Sequence, residues 1–264
     1  MMNGVLWALL GTLFTFGVTT LGALNVYWVR GEITEKIQCV FLGFAGGVMI
    51  AASVWSLLLP AIDRAEALHQ IGWLVTAGGF LLGVSSLLWA DALFKRHYMR
   101  RLAGGRVSSL KQRTLMMIGA ITIHNIPEGM AVGLAFAMAA SEPGNSALFS
   151  GAAALALGIG IQNYPEGTAV ALPLHSDGMS KKKAALYGSM SASVEPVFGI
   201  LAAVLATLVT PLMPLLLSYA AGTMIYVVIL AVMPEAHLGE GDKTASLSFV
   251  AGFLVMMILD VSLG

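Results

Sequence analysis

Charge is what this sequence has least of. Lys, Arg, Asp and Glu make up 11% of its 264 residues, against roughly 25% in an ordinary soluble domain. The 14 basic and 14 acidic residues cancel, so no cationic surplus exists to neutralise phosphates, and no nucleic-acid partner is expected. A single cysteine, Cys39, excludes an internal disulfide framework and any cysteine-cluster metal site. The chain also lacks a G-x-x-x-x-G-K-[ST] phosphate loop and a His-Glu-x-x-His zinc-hydrolase helix. ATP-driven work and soluble-type zinc hydrolysis therefore have no carrier, and no enzymatic activity is expected.

Apolar residues fill the space that charge leaves: 58% of the chain is hydrophobic and the mean hydropathy is +0.84. About 20 apolar residues suffice to cross a bilayer as a helix. The pattern predicts an all-α polytopic membrane protein, one domain over 1–264, with eight spans at about 4–29, 38–59, 71–94, 114–140, 147–173, 184–209, 213–235 and 244–263. With the N-terminus outside, 13 of the 14 Lys and Arg residues fall in cytoplasmic loops, among them the basic stretch 95–113 and the run Lys181-Lys182-Lys183; Arg64 alone falls outside. Basic residues resist translocation, so this asymmetry places both termini outside. Tyr27, Trp28, Trp73, Trp89 and Tyr98 lie near span ends, where amphipathic rings favour the interface.

Ionisable residues inside a span cost several kcal/mol on insertion scales and persist where they face a polar interior or pathway. His124, Glu128, Glu166 and Glu195 sit well inside spans four, five and six, whereas Asp91 and Asp260 lie near span ends and are expected to be interfacial or structural. Residues 124–134 read HNIPEGMAVGL and 162–172 read QNYPEGTAVAL, agreeing at seven of eleven positions at an offset of 38. The two spans run in opposite directions, so the pattern is an inverted repeat, an organisation that puts a substrate site near the membrane midplane.

The repeat has a chemistry of its own. His124 and Glu128 share a helical face at a spacing of four, as do Gln162 and Glu166. Pro127 and Pro165 lack an amide hydrogen and crowd the carbonyls of Ile123 and Ile161, so each span is expected to break there, facing a cavity. Imidazole, carboxylates and amide oxygens on these faces suit a divalent cation such as zinc. Glu128 and Glu166 close together cannot both stay ionised cheaply in a low dielectric; a proton or a cation must sit between them, and metal occupancy is expected to depend on pH.

HNIPEG in span four, QNYPEG in span five and SVEP in span six together resemble the ZIP (Zrt/Irt-like) family of divalent metal transporters, most of all its bacterial GufA-type branch. The resemblance covers essentially the whole chain. It implies a central two-metal site: His124, Glu128, Gln162 and Glu166 match its first position, joined by Met49 of span two, while Asn125, Glu128, Asn163, Glu166 and Glu195 match the second, with Glu128 and Glu166 bridging. Where bacterial relatives often carry Asp, this chain has Asn163, so the second position carries less negative charge. The inner loop lacks the family's His-rich run, His97 standing alone there. Glu235 and His237 resemble inner-exit residues, and His175 and Asp177 lie on the same side. At the outer end, Asp63, Glu66 and His69 form a polar loop that could gather metal.

The resemblance further implies uptake of zinc into the cytoplasm, with cadmium, iron(II) and manganese(II) as related cargo. It implies an elevator-like slide of spans one, four, five and six against the other four, a bacterial inner-membrane location, and it allows a homodimer. The residues alone leave three other readings open: a proton-coupled carrier of another solute, a metal sensor, or an intramembrane metalloenzyme.

Overall fold

The computed structural model describes residues 2–28, 34–102, 109–176, 178–208, 210–236, 238 and 243–263; within its helices some side chains, those of His124 and Glu235 among them, fall outside that description. The described residues are helical and contain no strand. The helices are α1 (Met2–Ala23), α2 (Glu35–Ala52), α3 (Leu59–Ala67), α4 (Gly72–Leu102), α5 (Ser109–Ser141), α6 (Ser146–Ser176), α7 (Lys181–Ser191), α8 (Val194–Leu208), α9 (Met213–Val227), α10 (Met233–Glu235) and α11 (Lys243–Leu263).

Seven helical stretches among the described residues are long and apolar enough to cross a membrane: Asn3–Tyr27, Cys39–Ala67, Gly72–Ala90, Ser146–Leu172, Lys181–Ala206, Met213–Leu230 and Lys243–Ser262. The expected fourth span is not among them. It lies in α5, whose 33 residues exceed the length a bilayer requires, and part of it falls outside the described side chains. Trp28, Trp73 and Trp89 are about 70% exposed, the orientation an interfacial ring needs.

Proline acts differently here from what the sequence pattern predicts. α5 and α6 run unbroken through Pro127 and Pro165, so neither span breaks at its PEG motif. The discontinuities lie elsewhere. Span two does not stop near residue 59 but continues to Ala67 through a π-helical segment, Ser53–Leu58. Span seven repeats the device at Val228–Val232. In each, the wide segment ends two residues before a proline, Pro60 and Pro234. A proline supplies no amide to the carbonyl four residues back; here Leu59 N–H bonds Val54 O and Met233 N–H bonds Val228 O, each five residues away. Such π-turns widen a helix without ending it. Span six is interrupted at Ala192-Ser193, between α7 and α8, so Glu195 sits in the first turn of α8. Pro196 fits there because amides in a first turn have no intrahelical partner.

The helices form two groups. α1, α5, α6 and α8 pack together, and α2, α4, α9 and α11 pack together, the groups meeting where α5 touches α9 and where α6 touches α2 and α11. The closest pairs are α1 with α6, α5 with α8, α2 with α11 and α4 with α9. Exchanging spans one, two, three and four with six, seven, eight and five maps this set of pairs onto itself. The packing therefore carries the same twofold logic as the HNIPEG/QNYPEG repeat.

Close approach at the repeat is set by its glycines. A Cβ at Gly129 would fall 2.8 Å from the Glu195 carbonyl carbon, and one at Gly167 would fall 2.9 Å from the Ala23 nitrogen. Both are nearer than real Cβ contacts come, so only glycine lets α5 meet α8 and α6 meet α1 backbone to backbone.

Candidate functional site

Seven buried polar residues come from four helices of one group. Asn125 and Glu128 lie on α5, Gln162, Asn163 and Glu166 on α6, Glu195 on α8, and Thr15 on α1; all seven are buried. Spacings of three and four place Asn125 with Glu128, and Gln162 and Asn163 with Glu166, on inward-facing sides of their helices. The packing of α5 against α8 at Gly129 then fixes Glu195 beside them.

Hydrogen bonds join these side chains into two chains. Gln162 Nε2 donates to Glu128 Oε1 at 2.6 Å. Asn163 Nδ2 donates to Glu195 Oε1 at 3.0 Å, and the Thr15 hydroxyl donates to Glu195 Oε2. Neighbouring amides on α6 thus serve carboxylates on two different helices. Glu128 and Glu166 both lie within Coulombic range of Glu195, so three carboxylates share one buried region. Burying charge at this density is strongly unfavourable unless it is paired or holds a cation.

The amide oxygens complete the donor set. Gln162 Oε1, Asn163 Oδ1 and both amide atoms of Asn125 are buried with no hydrogen-bond partner among the described residues. Buried polar atoms are nearly always satisfied, and several unsatisfied oxygens beside carboxylates form a surface that attracts a cation. Among the described residues no three His, Cys, Asp or Glu side chains close around a single point. The ligand set the structure offers therefore mixes carboxylates with amides.

The remaining residues singled out in the sequence divide. Met49 on α2 is fully buried, but among apolar residues of the main core, and it belongs to the other helix group. His124 adjoins Asn125 on α5, and its side chain lies outside the described residues, as does that of Glu235; Asp177 and His237 lie outside them altogether. His175, the one inner-exit candidate that is described, has its Nδ1 2.8 Å from the Met179 carbonyl. His69 is exposed and occupies a left-handed turn with φ 56°. Gln70 N–H bonds Ala65 O across it at 2.9 Å, so this residue closes α3 in the manner of a C-terminal glycine.

Two features escaped the sequence. Thr15 reaches Glu195 from a helix with no ionisable residue, and nothing in its sequence marks it out from Thr12, Thr19 or Thr20. Asp260, expected at the interface or in a structural role, is buried and accepts from Ser56 Oγ at 2.6 Å. It lines a cavity of about 430 Å³ together with Ser56, Asp63, Met138 and Asn145. The turn-like sequence Pro60–Asp63 conceals that helix continues there and that α2 and α11 pack along their length.

A family model described as the ZIP zinc transporters matches residues 102–260. Over 98% of both chains, the sequence is 38% identical to the zinc transporter ZIP11 of Xenopus tropicalis. It is 34% identical to the zinc transporter GufA of Myxococcus xanthus over 97% of this chain and 98% of that one. It is 35% identical to the zinc transporter ZIPB of Bordetella bronchiseptica over 98% of this chain and 82% of that one.

Proposed function

Because the chain belongs to the ZIP family of zinc transporters and carries divalent metal across a membrane, we propose that zinc passes into the cytoplasm through the buried carboxylate–amide site on α5, α6 and α8. One observation carries the reading: the two PEG repeats and the first turn of α8 supply two buried hydrogen-bonded pairs, Gln162 with Glu128 and Asn163 with Glu195, that share helix α6, beside amide oxygens that have no partner among the described residues. Glu128, Glu166 and Glu195 supply charge; Asn125, Gln162 and Asn163 supply neutral oxygens; His124 and Met49 complete the first position. His175, Asp177, Glu235 and His237 receive metal on the inner side.

In this reading the chain crosses the membrane eight times, α5 included, with both termini outside, in the bacterial inner membrane. The cavity bordered by Asp63 and Asp260 is the approach from outside. Its α5 wall at Ala135 stands seven residues, ~10 Å of helix, from Glu128. Transport proceeds by sliding of the α1/α5/α6/α8 group against the other. Carboxylates and amides accept cadmium, iron(II) and manganese(II) as well as zinc, with availability deciding among them. A homodimer is the oligomeric state in keeping with this reading.

Zinc flux into proteoliposomes tests the assignment. Saturable uptake by the native chain that collapses in a folded Glu166→Gln variant is the expected result. Tight zinc binding with no flux in the folded native chain would overturn transport through this site in favour of a sensor. Flux of another solute that persists when divalent metals are chelated would overturn metal as the cargo.

A further inference from the structure

Thr15 is the one threonine of α1 seen to reach outside its own helix. Thr12 Oγ1 donates to Ala8 O at 2.7 Å, Thr19 Oγ1 to Thr15 O at 3.2 Å and Thr20 Oγ1 to Phe16 O at 3.0 Å. These are the back-bonds a hydroxyl makes in an apolar helix. Thr15 has the same option, with Thr12 O 3.0 Å away, yet its hydroxyl also lies against Glu195 Oε2. A hydroxyl carries one proton. It can serve Glu195 or the Thr12 carbonyl, and either choice leaves the donor satisfied.

We propose that Thr15 is a positioning residue that governs metal release, by competing with the cation for Glu195 Oε2. The proposal rests on the reading of Glu195 as a pathway ligand. A hydrogen-bond donor aimed at a carboxylate oxygen withdraws electron density from it and sets a positive dipole end where a cation would sit. The hydroxyl therefore favours Glu195 in its protein-bonded arrangement. When metal takes Oε2, the proton turns to Thr12 O, which stands within reach, so no buried donor is orphaned. When metal leaves, the proton returns and the carboxylate is satisfied again. A carrier needs this balance, since a site must bind well enough to load and weakly enough to empty.

Asn163 holds the other oxygen of Glu195 at 3.0 Å. Its amide has no alternative acceptor among the bonds described, so it fixes the carboxylate without offering the same exchange. The two donors thus divide the work: Asn163 orients Glu195, and Thr15 sets how tightly it grips.

The test is zinc uptake by the full chain in proteoliposomes, measured as initial rate against zinc concentration for native protein, Thr15→Val, Thr15→Ser and Glu195→Gln, with thermal stability recorded for each. Valine keeps the shape of threonine and removes the donor. The expected result is a KM lowered about three- to tenfold together with a lowered Vmax, because binding tightens while release slows. Thr15→Ser restores both constants towards native. Should the valine variant not fold, Thr15→Ala carries the same expectation. Unchanged constants, or a raised KM, in a folded variant would overturn the proposal. Native uptake by Glu195→Gln would instead overturn the assignment of Glu195 on which it rests, and the two failures are told apart by that variant.

Discussion

Gln162 and Asn163 are consecutive residues on α6, yet their amides serve Glu128 on α5 and Glu195 on α8. Successive helical residues point about 100° apart, so one turn of α6 reaches two neighbours. Asn163→Asp would delete the donor at 3.0 Å and set a fourth carboxylate against Glu195. Loss of a hydrogen bond to a charged group costs about 1.5–3 kcal/mol, and like-charge repulsion adds to it. The variant is expected to melt below the native protein in chelator and to show the larger rise on adding zinc; equal zinc-induced shifts would contradict this. Just beyond α3, His69 holds φ 56°, a conformation that costs a side-chain-bearing residue roughly 1 kcal/mol. His69→Gly is expected to raise thermal stability by up to about 1 kcal/mol, with zinc uptake unchanged. A loss of uptake at low zinc would restore His69 to a metal-gathering role.

Gly129 belongs to α5 as a whole, because it decides whether that helix can lie on α8. Gly129→Ala would force its Cβ to within 2.8 Å of the Glu195 carbonyl carbon. Overpacking of this kind costs about 1–3 kcal/mol where the backbone can shift, and the backbone that must shift carries Glu195. Thermal melting in detergent and zinc flux are both expected to fall, the flux by more than stability alone requires. Much at this scale was legible in the sequence. Carboxylates, amides and a proline inside an apolar run stand out, and their recurrence at an offset of 38 is enough to reveal the repeat. The π-segments at Ser53–Leu58 and Val228–Val232 were not legible, because a proline in sequence signals a helix end, whereas packing of the first on α9 and of the second on α2 holds the chain helical through it. The interruption at Ala192-Ser193 was hidden for the converse reason. Residues 184–209 read as one apolar span despite the serines and Glu195 of GSMSASVEP, and only the first-turn position of Pro196 distinguishes a helix start from a helix interior. Thr15 was invisible because its partner lies 180 residues away.

At the scale of the molecule, the question is whether the two helix groups move past one another. At one end they are tied by an ion pair. Arg64 Nη1 on α3, in the second group, meets Glu142 Oε1 just beyond α5, in the first, and Arg64 Nη2 approaches Ser141 Oγ at 3.4 Å. Asp63 and Asn145, close to the two partners in sequence, line the cavity that Asp260 also borders, so the tie stands at its rim. A partly exposed pair is worth about 0–1 kcal/mol, enough to bias one arrangement but not to lock it. A covalent tie at the same place would lock it. Cys39 is the only cysteine, so Cys39→Ser gives a clean background for Arg64→Cys with Glu142→Cys. Modification of these thiols by an impermeant reagent applied to intact cells is expected if this end faces outward. Bridging them with a short bifunctional maleimide is expected to abolish zinc uptake while leaving zinc binding intact, whereas the same reagent on either single variant leaves uptake unchanged. A bridged double variant that still transports at the native rate would mean that the ends of α3 and α5 joined by this pair do not separate during the cycle. Metal would then pass between fixed groups by rearrangement of side chains around Glu128 and Glu195.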